Sequence, residues 1–145
     1  MNEKILVIDD IDSIVFIIKT ILSREGYDVS TACGYYDAME KMAKTDFDLV
    51  LTDIEFGEDK TGIDILKEVK KTNPICPVIL ITGSIDYMSA SEAKLMGAYD
   101  YILKPVSFER LLNTISMALR YKTVPEGMTH AGANRRRKKI AGLVD

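Results

Sequence analysis

Apolar residues along this 145-residue chain fall into two kinds of spacing. Three short unbroken runs, Ile5–Ile8, Leu49–Leu51 and Val78–Ile81, are rich in β-branched residues and bounded by turn formers. Runs that do not alternate predict strands buried on both faces of a parallel sheet. Weaker strands are predicted at Tyr27–Ala32 and Ala98–Ile102. Between them, segments at roughly 12–25, 35–44, 62–72, 85–96 and 107–121 carry helical spacing. In the first, Ile14, Ile17, Ile18 and Ile21 fall at i, i+3, i+4 and i+7, which predicts a core-facing stripe stopped by Gly26. In the last, Ser107 is placed as an N-cap ahead of an apolar face of Leu111, Leu112, Ile115 and Leu119.

Strand and helix thus alternate five times with short connections. Right-handed crossovers turn that order into an α/β fold, a doubly wound five-stranded parallel sheet with helices on both sides. Ligands of such sheets bind beyond the carboxyl ends of the strands. The residues standing there are Asp9 and Asp10 after the first strand, Asp53 after the third, Thr82 after the fourth and Lys104 after the fifth. Carboxylates about 4 Å apart repel by roughly 4 kcal/mol at an effective dielectric near 20, so a gathering of them wants a cation. Hard oxygen donors suit Mg²⁺, one carboxylate can serve as a nucleophile toward phosphorus, and an amine with a hydroxyl can hold phosphoryl oxygens.

Composition narrows the setting. Apolar residues at 47% and charged residues at 28% are ordinary for one globular domain. No apolar run approaches the ~18 residues of a membrane helix, and the start lacks a signal peptide's pattern, so a cytoplasmic location and no membrane contact are expected. Cys33 and Cys76 are too few for a disulfide framework or zinc site and are expected to be buried, reduced thiols. The net charge of −3 conceals an asymmetry: residues 1–121 hold 13 Lys and Arg against 20 Asp and Glu, whereas residues 122–145 hold 6 against 2. Contact with nucleic acid is expected only through that basic tail or an output domain beyond it; the tail's first reading is a solvated extension, and the alternatives are the stub of a linker to an output domain or a basic contact for a partner. His130, alone in the tail, is expected to be neither catalytic nor a ligand.

The acidic pair in VIDD, the central LTD, the LIT and the DYILKP segment stand at the right strand ends in the right order. Together they resemble the receiver domain of two-component response regulators, over about residues 3–121, with residues 122–145 left as tail. The resemblance implies a flavodoxin-like (βα)5 sheet with strand order 2-1-3-4-5. It implies Asp53 as acceptor of a phosphoryl group from the phosphohistidine of a histidine kinase or histidine phosphotransfer protein. It makes Asp10 a direct Mg²⁺ ligand, Asp9 a ligand largely through water, and Asp53 and the backbone carbonyl of Glu55 further ligands. Thr82 would bond a phosphoryl oxygen, Lys104 would pair with its charge, and Tyr101 would be the switch aromatic that turns inward as the hydroxyl moves. The fourth helix, fifth strand and fifth helix would then present a changed face to an output protein or domain, and pairing of two copies is compatible with this. Such a protein is a phosphorylation-dependent switch rather than a turnover enzyme, and the Lys104-Pro105 bond is expected to be cis.

Two features depart from the family's pattern. The loop IEFGEDKTG has Gly57 where a Pro is usual, and Gly62 comes nine residues after Asp53 instead of eight, which predicts a looser, more acidic loop. Glu55 and Ser84, each two residues past a site residue, would flank attacking water, and Gly83 stands where Ala is common. The first helix also carries spare apolar residues beside the acidic pair, and Ile11, Ile14 and Val15 are expected to dock the phosphohistidine-bearing helices, with core packing an equal account of Ile14. Asp12 is read as an N-cap or solvated acid. The rival functions are a phosphohydrolase of the haloacid dehalogenase type, built on Asp10-Ile11-Asp12-Ser13, and a flavodoxin-like FMN carrier. The first leaves Asp53 without a role, and the second places three carboxylates where it needs a phosphate cradle.

Overall fold

The computed structural model describes residues 2–84 and 88–120. Strand β1 is Lys4–Ile8, β2 Asp28–Ala32, β3 Leu49–Asp53, β4 Val78–Thr82 and β5 Asp100–Leu103. Helices α1 Asp12–Arg24, α2 Tyr35–Lys44, α3 Gly62–Thr72, α4 Ala90–Leu95 and α5 Phe108–Arg120 alternate with them. All pairings are parallel and the sheet order is β2-β1-β3-β4-β5. This is the flavodoxin-like order expected, with the topological switch between β1 and β3. No described helix is long and apolar enough to cross a membrane.

Successive strand residues point to opposite faces, and the apolar runs supply both. Leu6, Ile8, Val50, Val78 and Leu80 pack with Ala38, Ile65, Leu66 and Ala93, so α2, α3 and α4 cover one face. Ile5, Val7, Leu51, Ile79 and Ile81 pack with Ile18, Leu22, Leu111 and Ile115, so α1 and α5 cover the other. Burying both faces at about 25 cal/mol per Å² of apolar surface is what holds the strand ends at a common edge.

Several expectations need correction. The α1 stripe is turned: Ile18 and Leu22 are buried and Ile14 is half-buried, but Ile17 is 42% exposed. The buried line runs at i, i+4, i+8, and Ile17 lies one step round the helix toward the site edge. Helix α4 begins at Ala90, not at residue 85, because Ser89 caps it by accepting from the Glu92 N–H at 3.1 Å; residues 85–87 lie outside the described residues. Cys33, the residue just past the end of β2, is exposed, not buried, while Cys76 is buried as expected. Gly26 stops α1 with φ +93°, and Ser107 accepts from the Arg110 N–H at 3.1 Å ahead of α5. Tail residues 122–145, His130 among them, lie outside the described residues.

Candidate functional site

Beyond the carboxyl ends of β1 and β3, one carboxylate oxygen from each of Asp9, Asp10 and Asp53 lies within 4.8 Å of the other two. Asp9 is buried and Asp10 is exposed. Backbone geometry fixes the two deeper groups: the Ile11 N–H donates to Asp9 Oδ1 at 3.0 Å, and the Ile54 N–H donates to Asp53 Oδ1 at 2.7 Å. Asp12 is the exposed first residue of α1, so it is a solvated acid in the first turn, with Ile11 as N-cap.

Lys104 follows β5, its backbone N–H held to the Thr82 carbonyl at 2.8 Å. The Lys104–Pro105 peptide is cis. Its Nζ reaches Asp53 Oδ2 at 3.0 Å and Asp9 Oδ2 at 3.3 Å. One ammonium therefore serves two carboxylates. Burial pushes the Asp53 carboxyl above its ordinary value, against the hydrogen bond and charge of Lys104, and Asp9 adds to the push. Burial alone would lower the Lys104 ammonium, yet its bonds to Asp53 and Asp9 outweigh that and hold it above its ordinary value. The Lys stays charged, and the carboxylates remain undercompensated.

The donor set therefore fits a hard divalent cation: three carboxylates, two of them largely removed from water, share less than their own charge in counterions. Around it, Asp10, Ile11, Asp53, Glu55, Thr82, Gly83 and Ser84 border a cleft of about 410 Å³, wide enough for a phosphoryl group. Behind Asp53 and Lys104 a second, apolar cavity of about 400 Å³ lies against Ile14, Ile17, Val106 and Phe108.

Thr82 is buried at the end of β4, and its hydroxyl donates to the Ser84 carbonyl at 3.1 Å. Tyr101 is 8% exposed, its ring inside the sheet's α4 side. Its hydroxyl donates to the Met88 carbonyl at 2.8 Å and lies 3.4 Å from that of Ser84. The ring is thus inward while the Thr82 hydroxyl bonds the Ser84 carbonyl.

The partner-face expectation divides. Ile11 is 48% exposed, Val15 is half-buried, and Ile14 packs against the core of the α1–α5 face. Phe16, a spare apolar residue of α1 in the sequence, Ile17, assigned there to the core stripe, and Phe108 were not counted toward that face, and they are 70%, 42% and 45% exposed. Apolar residues one step outside a helical stripe were the available signal.

The β3–α3 loop is anchored, contrary to expectation. Gly62 N donates to the Ile54 carbonyl at 2.7 Å, Phe56 is buried, and Glu58 Oε1 accepts from the Tyr35 N–H at 2.8 Å. Through Glu58 and Asp59 the loop reaches Tyr35 and Tyr36 at the start of α2.

With that geometry in place, comparison with known proteins is direct. The model of the response regulator receiver domain family matches residues 5–116. The transcriptional regulatory protein ZraR of Salmonella typhimurium is 40% identical over 115 residues, 79% of this chain and 26% of that protein. The chain spans about a quarter of the length of the curated relatives it matches. A CheY-like receiver domain from Methanospirillum hungatei JF-1 superposes with a TM-score of 0.78 at 32% identity, covering 83% of this chain and 95% of that one. The beryllofluoride-activated NtrC4 receiver domain dimer does so at 0.73 and 35%, covering 81% and 96%. The dehalogenase-type and FMN-carrier alternatives fall away, and the chain belongs to the response regulator receiver domains of two-component signalling.

Proposed function

We propose that Asp53 is the phosphoacceptor and that Asp9, Asp10, Asp53 and the Glu55 backbone carbonyl hold Mg²⁺. The observation that carries this reading is the convergence of three carboxylates within 4.8 Å, with Lys104 Nζ 3.0 Å from Asp53. Mg²⁺ supplies charge neutralisation of the phosphoryl oxygens when bound. An Asp53 oxygen attacks phosphorus as the P–N bond to the donor imidazole breaks, and that nitrogen leaves with the electron pair. Lys104 then trades part of its pairing with the carboxylate for pairing with the phosphoryl group, and Thr82 exchanges Ser84 for a phosphoryl oxygen. Because Tyr101 shares Ser84 with Thr82, that exchange biases the α4-β5-α5 face. A phosphoryl group can shift the two states only by its difference in affinity for them. The only reactions catalysed are the domain's own phosphotransfer and dephosphorylation.

Ile11, Ile14 and Val15 are proposed to meet the histidine kinase or phosphotransfer protein, and a protein or domain of output to read the switched face. The dimer of the NtrC4 receiver supports pairing of two copies here.

The test is intact mass after incubation with acetyl phosphate and Mg²⁺, wild type beside Asp53→Asn. Gain of one phosphoryl group by wild type alone is expected. Gain by both proteins would move the acceptor elsewhere.

A further inference from the structure

The β3–α3 loop makes contacts that acceptance of a phosphoryl group does not by itself require. Its base is closed by Gly62 N on the Ile54 carbonyl at 2.7 Å. Gly57 turns the chain with φ +72°. The next three residues each meet one of two adjacent tyrosines at the start of α2. Glu58 accepts from the Tyr35 N–H at 2.8 Å, Asp59 accepts from the Tyr36 hydroxyl at 3.0 Å, and Lys60 Nζ stands 5.9 Å from the Tyr35 ring centre. Helix α2 has Gly34 as N-cap and so has no capping side chain of its own. Glu58 supplies the cap from another loop, where a carboxylate meets both a free N–H and the positive end of the helix. Gly34 makes this possible: a Cβ there would lie 2.2 Å from Glu58 Oε1.

We propose that Glu58 is a positioning residue for the metal edge. The inference rests on the reading of Asp9, Asp10, Asp53 and Glu55 as the Mg²⁺ site. Two anchors hold the stretch around Glu55: the buried Ile54 and Phe56 on either side of it, and the Glu58 cap further along the loop. Fixing both holds the Glu55 backbone in one conformation, so the metal meets an ordered carbonyl and need not order the loop itself. Linkage makes the effect reciprocal: Mg²⁺ must tighten the cap as much as the cap tightens Mg²⁺.

The experiment is titration of the metal-free protein with Mg²⁺ alone by calorimetry, on wild type, Glu58→Ala, Glu58→Gln and Gly34→Ala. Melting of the metal-free proteins and amide exchange at Tyr35 are followed in parallel. Glu58→Ala should weaken Mg²⁺ binding by about fivefold to tenfold, at the low end of coupling between linked sites. Gln keeps an acceptor oxygen while losing the charge, so Glu58→Gln should stay within about twofold of wild type. Gly34→Ala keeps every charge but puts a methyl where the carboxylate sits, and should lose as much as Glu58→Ala, which also serves if the latter folds poorly. Mg²⁺ should slow exchange at Tyr35 in wild type and Glu58→Gln only. Equal losses in Glu58→Gln and Glu58→Ala would overturn the proposal, because affinity would then follow charge. Lower melting temperatures with unchanged Mg²⁺ affinity would also overturn it, reducing Glu58 to a structural cap while leaving the metal site intact. No binding to wild type would sink the metal site and this proposal together.

Discussion

The two halves of the site edge are built differently. On the acceptor half, bonds tie separate elements together: Lys104 to Asp9 and Asp53, Gly62 to Ile54, Glu58 to Tyr35. Helix α3 begins there with a reciprocal cap, Ile63 N–H to the Thr61 hydroxyl at 3.2 Å and Thr61 N–H to Asp64 at 2.8 Å. On the reporting half Thr82 bonds Ser84 and Ser89 bonds Glu92 locally, the Tyr101 hydroxyl ties β5 to the Met88 and Ser84 carbonyls, and α4 has six residues. Leu95 on that helix is 89% exposed. Ion pairs and caps that tie separate elements together fix geometry for chemistry, whereas a six-residue helix tethered through one buried hydroxyl changes state at low cost. A switch needs one half that holds still and one that yields.

Gly62→Ala should break the acceptor half outright. A Cβ at that position would lie 2.0 Å from the Asp53 carbonyl oxygen and 2.9 Å from Ile54 Cα. Both are backbone atoms with no rotamer to retreat into. The contrast is Gly34, where the obstructing atom ends a flexible side chain. We expect a loss of about 3 kcal/mol in urea unfolding, the upper end for forced overpacking, and loss of phosphorylation with it. A cost below about 1 kcal/mol would mean that β3 and α3 slide apart easily, and the acceptor half would then be no stiffer than the other.

Removing a charge should sharpen the contrast in the opposite sense. Burial raises the Asp53 carboxyl above its ordinary value in the metal-free fold. The folded protein then binds this proton more tightly than the unfolded chain does. Stability accordingly falls as pH rises from the ordinary carboxylate value through the raised one, and the full cost persists above it. Asp53→Asn should therefore raise the melting temperature of the metal-free protein by a few degrees at pH 7, a gain that fades below about pH 4. Mg²⁺ should reverse the order, since the variant lacks a ligand. Thermal melts from pH 3 to 8 with and without Mg²⁺ check this, and a gain that grows toward low pH would contradict it.

Much of the acceptor half could be read from sequence because its signals are local. Asp9, Asp10 and Asp53 follow unbroken apolar runs, and a strand end in a parallel sheet has one place to go. The cap on α2 could not be read, because it pairs Glu58 with a backbone N–H 23 residues away and depends on a glycine having no Cβ. The sequence shows an acidic loop and the resemblance shows that it lacks the usual Pro, but only geometry places Glu58 on the end of α2 and Asp59 on the Tyr36 hydroxyl. The α1 stripe failed for a related reason: four isoleucines satisfy helical spacing, but which edge of a wide stripe faces the sheet depends on the crossing of α1 over β1 and β2. Thr82 and Tyr101 were singled out by strand-end position and by resemblance, but their junction through Ser84 could be seen only in the fold.

That junction offers the gentlest way to separate the halves. Tyr101→Phe keeps the buried ring and deletes one hydroxyl, and with it the 2.8 Å bond to the Met88 carbonyl. Burial, with Glu92 nearby, raises the phenol above its ordinary value, so across neutral pH this hydroxyl is a protonated donor. Its loss should cost about 1 kcal/mol, the net worth of one such bond, with the Met88 carbonyl left to find water. Amide exchange should quicken in residues 88–96, the segment that bond tethers, and remain unchanged at Ile54 and Tyr35. Phosphorylation by acetyl phosphate should proceed at the wild-type rate, because Tyr101 touches none of the carboxylates. If phosphorylation slowed several-fold while exchange near α4 stayed the same, Tyr101 would belong to the acceptor half, and the division between holding and yielding would lie elsewhere in the fold.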